Sequence, residues 1–229
     1  MELEAEYRSI GLENEGSLHA ELKRWYAIPG DRLEVKVGEF YIDILRDKTL
    51  IEIQTRNFYA MKKKLTKLLE KYRVRIVHPI AENKYILKLD AEGSKVLSTR
   101  KSPKRGNKYD VFNEIMRITE LIKVENLSIE ILIIDEEEIR KEDGKGSWRR
   151  GGVSIADRRL IEVKEKIKLQ QIQDYKQFIP ENMDMPFSNK MLSKAAKISL
   201  AQARKTTYCL RKIGLIEQVS KKGNELYFE

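Results

Sequence analysis

Hydrophobic and polar positions alternate in three different ways along the chain, and each zone predicts different elements. Up to about residue 92 the pattern predicts helix, three strands, helix, strand. Ser17 is placed to cap a helix running to about Ala27, with Leu18, Leu22 and Trp25 on one face. Pro29-Gly30-Asp31 ends it. Short strands are expected over Leu33–Val37, Phe40–Leu45 and Leu50–Gln54. Asn57 is placed to cap a second helix, whose Phe58, Met61, Leu65 and Leu68 recur at helical spacing. Val74–Ile80 is a β-branched run, and Tyr85–Leu89 is a further strand candidate.

Residues 93–183 form a middle zone with a weaker pattern. It opens on a basic loop, GSKVLSTRKSPKRGNK, that contains no acidic residue. A helix from Val111 to about Ile122, a buried strand over Ile129–Ile134 and a half-exposed strand over Leu160–Ile167 follow. Residues 184–229 predict a compact unit. Ser188 caps a short helix to Ala196, Ser199 caps a longer one over Leu200–Ile213, and Gly214 stands where a helix stop belongs. Ile216–Val219 and Glu225–Phe228 then make a hairpin around KKGN. Helix, turn, helix, hairpin is the order of a winged helix-turn-helix. The expected fold class is therefore mixed α/β: an αβββαβ front over 1–92, a loosely defined α/β extension over 93–183, and a winged helix over 184–229.

Composition narrows the function classes. Lys and Arg total 45 against 36 Asp and Glu, a net charge of +9, which favours a polyanion partner, nucleic acid first. A Lys/Glu-rich solvated surface is the bland alternative. The single cysteine, Cys209, forms no disulfide within the chain, and with two histidines beside it a structural zinc site is not expected. No apolar run approaches about 18 residues, so no membrane partner is expected. The acidic start, MELEAEYRSI, lacks a signal core, and the expected location is the cytoplasm.

The chemistry concentrates in YIDILRDKTLIEIQ, residues 41–54. If Asp47-Lys48 forms a two-residue turn, Arg46 pairs with Thr49 and Asp43 stands across from Glu52 on the face opposite Ile42, Ile44, Ile51 and Ile53. Facing carboxylates repel by a few tenths to about 1 kcal/mol, and a divalent cation reverses that sign. The alternative is an ordinary amphipathic hairpin with its polar face in water.

Asp43 followed after eight residues by Glu52-Ile53-Gln54, within helix, three strands, helix, strand, resembles the PD-(D/E)xK nuclease superfamily, which has a restriction-endonuclease-like fold. The resemblance covers about residues 11–80. It implies phosphodiester hydrolysis with Mg²⁺ or Mn²⁺ held by Asp43 and Glu52, and a water placed by Gln54. The usual lysine of the motif is Gln54 here, a neutral amide that orients water but carries no charge to the phosphate. The resemblance also implies a helical glutamate near the metal, for which Glu15 and Glu21 compete, Glu15 being preferred. An exposed glutamate favoured by the helix dipole is the alternative for Glu15. Homodimers occur in that superfamily, so a homodimer is admissible, although no dimer signature is legible.

DNA is the expected partner. Arg56 and the Lys62-Lys63-Lys64 cluster are candidates for backbone contact, as are Arg100, Lys101, Lys104 and Arg105 in the basic loop. Trp148-Arg149-Arg150 offers a ring beside cations. The segment LSKAAKISLAQARKTTYCLRKIGLIEQV resembles winged helices of bacterial and archaeal regulators. That resemblance implies groove contacts by Gln202, Arg204 and Lys205, pointing outward, with Lys221 and Lys222 at the wing. The run SLHAxLKxWY…IDI…IEIQTxNF…RKSPKRG is similar to a family of uncharacterised prokaryotic proteins. Two functions follow as expectations: a metal-dependent DNA nuclease targeted by its winged helix, or a non-catalytic DNA-binding regulator on a degenerate nuclease scaffold.

Overall fold

The computed structural model describes residues 16–229. It is a mixed α/β fold built on one seven-stranded sheet, in the order β1-β2-β3-β4-β6-β7 with β5 paired to β4. The strands are β1 (Arg32–Val37), β2 (Phe40–Arg46), β3 (Thr49–Ile53), β4 (Arg73–Leu89), β5 (Val96–Lys101), β6 (Leu127–Lys141) and β7 (Ser154–Leu169). β3 and β6 run parallel to β4, and the other pairings in this sheet are antiparallel.

Both faces of the central strands are covered, which explains their near-continuous apolar runs. On one face lies α1 (Ser17–Tyr26), where Leu18, Leu22 and Tyr26 meet Ile44, Ile51, Ile53, Val77, Leu132 and Ile134. Trp25, expected on that inner face, is 41% exposed, because Leu18, Leu22 and Tyr26 complete the i, i+4, i+8 stripe. Ser17 is not the cap: Gly16 is, and the Ser17 backbone N–H and hydroxyl donate to Asp157 on β7. On the other face α2 (Phe58–Leu69) buries Phe58, Met61, Leu65 and Leu68. Its first free N–H, on Phe58, donates to the Glu114 carboxylate at 2.9 Å.

The middle zone departs most from expectation. The basic segment expected as a loop contains β5, a hairpin partner of β4. β4 continues unbroken where two strands were expected, with a register shift at Ala81–Asn83. The expected helix over 111–122 is one helical turn, α3 (Phe112–Ile115), followed by successive i→i+3 turns through Val124. Those turns bury Ile115, Ile118, Leu121 and Ile122.

The C-terminal unit has α4 (Asn189–Ala195), α5 (Leu200–Ile213) and a three-stranded sheet ordered β8-β10-β9. Those strands are Phe187–Ser188, Glu225–Phe228 and Gln218–Lys222 respectively. Ser188 and Ser199 cap their helices, and Gly214, at φ 83°, ends α5 in the left-handed region. Leu192, Ala203, Leu210 and Ile213 join the same apolar core as α2 and β6.

Candidate functional site

The turn at Asp47-Lys48 sets the hairpin register that places the site. Arg46 pairs with Thr49, Leu45 with Leu50 and Ile44 with Ile51, and Asp47 takes a positive φ of 52°. Beyond Ile44 and Ile51 the ladder stops. There the Asp43 carboxylate accepts the Ile53 backbone N–H at 2.7 Å. Glu52 sits beside it, so the two acidic side chains are held at the splayed ends of β2 and β3.

Neither carboxylate faces open water. Glu52 is 7% exposed, so the expected wet polar face is absent: α2 covers it, with Lys64 in contact. Burial, then the charge of Asp43, push the Glu52 carboxyl up to about 7. Lys64 of α2 opposes this, with its Nζ 2.6 Å from Glu52 Oε1. Oε1 is buried, and this ammonium is the cation in contact with it. The Lys64 ammonium also donates to the Tyr41 carbonyl, at 2.6 Å. Burial alone would raise Asp43, but the His19 ring 3.3 Å away and the Ile53 N–H outweigh it and hold its carboxyl low. Two neighbouring acids are thus driven apart, one ionised and one poised near neutrality.

A cleft of about 360 Å³ opens next to His19, between the start of α1, the β3–α2 connection and β7. Arg56 and Arg158 line it, beside Asp157. Gln54 is anchored by its backbone: its N–H donates to Val77 and its carbonyl lies 2.7 Å from His78 Nδ1. Its side-chain amide donates to the Arg56 and Asn57 carbonyls and makes no hydrogen bond with either carboxylate. Glu21 accepts the Leu160 N–H of β7 and so serves the α1–β7 contact. Glu15 lies outside the described residues.

The described residues offer two carboxylates, hard oxygen donors of the kind Mg²⁺ and Mn²⁺ take. The raised proton affinity of Glu52 beside the ionised Asp43, with Lys64 the cation in contact, marks a deficit of positive charge that a divalent cation would fill. Among the described residues no three His, Cys, Asp or Glu side chains converge as a metal cluster. The Lys64–Glu52 contact escaped sequence reasoning, which took Lys64 only as one of three lysines for backbone contact. The one available signal was i, i+3 and i, i+4 periodicity, which puts Lys64 beside Met61 and Leu65–Leu68 on the inward side of α2.

The expected basic contacts scatter. Arg100 and Lys101 stand on β5, Lys104 is exposed just beyond it, and Arg105 pairs with Glu82 at 2.8 Å. Of the three contacts expected on α5, only Arg204 is exposed. Gln202 donates to the Tyr109 carbonyl and Lys205 donates to Asn113 Oδ1 at 2.6 Å, which corrects their outward placement: the segment from Lys108 to Ile115 packs on that side of the helix. Lys221 and Lys222 are exposed on β9.

A family profile, a domain of unknown function (DUF8091), matches residues 16–170, which spans α1 through β7 and ends before the C-terminal unit. An uncharacterized protein of Treponema pallidum (strain Nichols) is 36% identical over 156 residues, 68% of this chain. The match covers 62% of that relative's length. No solved structure matches. No helix among the described residues is long and apolar enough to cross a membrane.

Proposed function

The chain belongs to the DUF8091 family, and from that premise we propose that it is a metal-dependent nuclease of PD-(D/E)xK type, hydrolysing DNA phosphodiesters. The observation that carries this reading is the pair Asp43 and Glu52: two carboxylates held together at the splayed strand ends, one kept ionised and the other buried with its proton affinity raised to about 7. Mg²⁺ or Mn²⁺ held by Asp43 and Glu52 would polarise a phosphoryl oxygen and acidify a water. The chain's own residues supply the rest. The Ile53 N–H and His19 fix the Asp43 carboxylate in its ionised form. The Lys64 ammonium, next to Glu52, supplies the positive charge that Gln54 lacks. Arg56 and Arg158 sit in the adjacent cleft, where guanidinium forks suit phosphate oxygens.

The order α4, α5, hairpin supports a winged helix as the targeting unit. With Gln202 and Lys205 held by the middle segment, Arg204 on α5 and Lys221 and Lys222 on the hairpin remain to meet DNA. A second reading, a DNA-binding protein that has lost catalysis, is favoured by the Gln54 amide being turned into its own loop.

Incubating supercoiled, linear and branched DNA with Mg²⁺ or Mn²⁺ tests the proposal. Cleavage that disappears in Asp43→Asn and Glu52→Gln is expected. Absence of cleavage, together with no Mn²⁺ binding by calorimetry, would overturn it; Mn²⁺ binding without cleavage would favour the second reading.

A further inference from the structure

The distal halves of β4 and β6, with β5, carry a second group of cations that the front site does not use. Lys88 stands beside Ser98 on β5 and Arg140 on β6, and Arg100 stands beside Ile86. These side chains share one face of the sheet, and the β6–β7 loop folds over it to bring Arg149 and Arg150 into the same cleft, of about 220 Å³. Carboxylates engage two of the five cations: Glu142 is 2.9 Å from Lys88, and Glu138 is 2.6 Å from Arg140. Arg100, Arg149 and Arg150 have no carboxylate at ion-pair distance among the described residues. Guanidiniums gathered this way repel one another until an anion joins them.

The loop is built rather than slack. The Gly146 N–H donates to the Gly152 carbonyl at 2.7 Å, and Arg150 Nε donates to the Val153 carbonyl at 3.0 Å. A Cβ on Gly146 would lie 1.9 Å from that same Val153 oxygen, so no side chain fits there. This closure holds Trp148, Arg149 and Arg150 as a short 3-10 turn. Trp148 is 87% exposed, and among the described residues no cation or ring stacks on it. The other tryptophan, Trp25, has a cation on its ring, Lys166, whose Nζ is 4.5 Å from the ring centre.

A cleft this small is below the ~300–1,000 Å³ that encloses drug-sized ligands. It fits a phosphate, and the exposed indole of Trp148, the residue before Arg149, adds a platform on which any base can stack. We propose that this cleft binds a single-stranded nucleic acid, seating a backbone phosphate among Arg100, Arg149 and Arg150 with the neighbouring base on Trp148. Val153 of this cleft and Arg158 of the front cleft are five residues apart on β7 and its approach, about 17 Å of extended chain. One strand is long enough to reach both, yet the binding claim stands without any reaction at the front.

The test uses the full chain in EDTA, so that binding is read without cleavage. Fluorescein-labelled ten-nucleotide oligothymidine, the matching duplex and AMP are titrated at several salt concentrations. Anisotropy reports the labelled strands, and quenching of Trp148 in a Trp25→Phe background reports all three ligands. Arg100→Ala with Arg149→Ala should weaken oligothymidine binding at least tenfold and lower the salt slope by about two. Trp148→Ala should weaken it several-fold and leave the slope unchanged. Both variants must keep the parent's melting temperature; if Arg149→Ala unfolds the loop, Arg149→Gln replaces it. Parent-like affinity and slope in the double variant would overturn the proposal, as would a duplex bound more tightly than the single strand. AMP binding as tightly as the oligomer would overturn the strand and assign the cleft to a free nucleotide. Because oligothymidine binding is read in EDTA and cleavage in Mg²⁺ or Mn²⁺, a failed nuclease reading and a failed cleft give different results.

Discussion

Glu52 and Glu138 are both buried glutamates on strands of one sheet, 7% and 2% exposed, and their surroundings drive them in opposite directions. Burial by itself raises both. Around Glu138 that effect is overcome by Arg140, Lys84 and Arg158, at 2.6, 3.1 and 3.2 Å, and the carboxyl falls to about 2. Around Glu52 it is reinforced by Asp43 and opposed only by Lys64 and the more distant His19 charge, and the carboxyl rises to about 7. Burial therefore does not mark a functional acid. What marks it is burial without enough counter-charge, because such a group costs folding energy that a purely structural position has no reason to retain.

The contrast is broken most directly by neutralising each glutamate in turn. Glu138→Gln should destabilise the fold by about 3 kcal/mol at pH 7, since three partly buried cations lose their anion. Glu138 is depressed in the fold, so its contribution is fully present above about pH 4.5 and fades as the pH falls towards 2. Urea unfolding at pH 7 and pH 3 checks both statements: the gap between variant and parent should narrow at pH 3. A variant as stable as the parent at pH 7 would remove one side of the comparison.

Glu52→Gln should act with the opposite sign. In the unfolded chain this carboxyl ionises near 4.5, in the fold near 7. The penalty for ionising it is absent below about 4.5, grows between the two values and is complete above 7. In EDTA at pH 8 the variant should therefore be more stable than the parent, by on the order of 2 kcal/mol after allowing for the orphaned Lys64. At pH 4 the difference should vanish. Thermal melts across that range read the crossover, and a destabilised variant at pH 8 would mean that Glu52 is a structural ion-pair partner like Glu138.

Much of this arrangement was legible in the sequence, for reasons that also explain what was not. Alternation along residues 40–53 and a two-residue turn suffice to bring Asp43 and Glu52 to the same end of neighbouring strands. The helical stripe Phe58, Met61, Leu65, Leu68 suffices for α2. Nothing local discloses that DEEEIRK, residues 135–141, is interior strand. A charged run reads as loop until β4 and β7 lay Lys84, Arg158 and Lys164 alongside it. Gln202 and Lys205 fail for a similar reason: a helical wheel shows them outward, and only the packing of a distant segment, Tyr109 to Asn113, turns them into contacts.

A divalent cation should affect the two acids unequally. If Asp43 and Glu52 hold Mg²⁺ or Mn²⁺, excess metal should raise the parent's melting temperature by an amount worth about 1–2 kcal/mol at ten to thirty times the dissociation constant. Glu138→Gln should keep this increment and Glu52→Gln should lose it. An increment that survives Glu52→Gln would locate the cation elsewhere.

The smallest expected effect comes from Lys64, the nearest cation opposing the rise of Glu52. Lys64→Met keeps the length and apolar stem of the side chain on α2 while removing its charge. Without the ammonium, ionised Glu52 loses its closest compensation, so its carboxyl should move further above 7. Stability at pH 8 should then fall by up to about 1 kcal/mol, a modest figure because the Lys64 side chain is itself 20% exposed and screened by water. At pH 5, where Glu52 is already mostly protonated, variant and parent should agree within a few tenths. In a Glu52→Gln background the same substitution should lose its pH dependence altogether, leaving only the Tyr41 carbonyl contact to be felt. A Lys64→Met effect of equal size at pH 5 and pH 8 would show that this lysine stabilises α2 through Tyr41 rather than by compensating Glu52, and Glu52 would then stand without a working counter-ion.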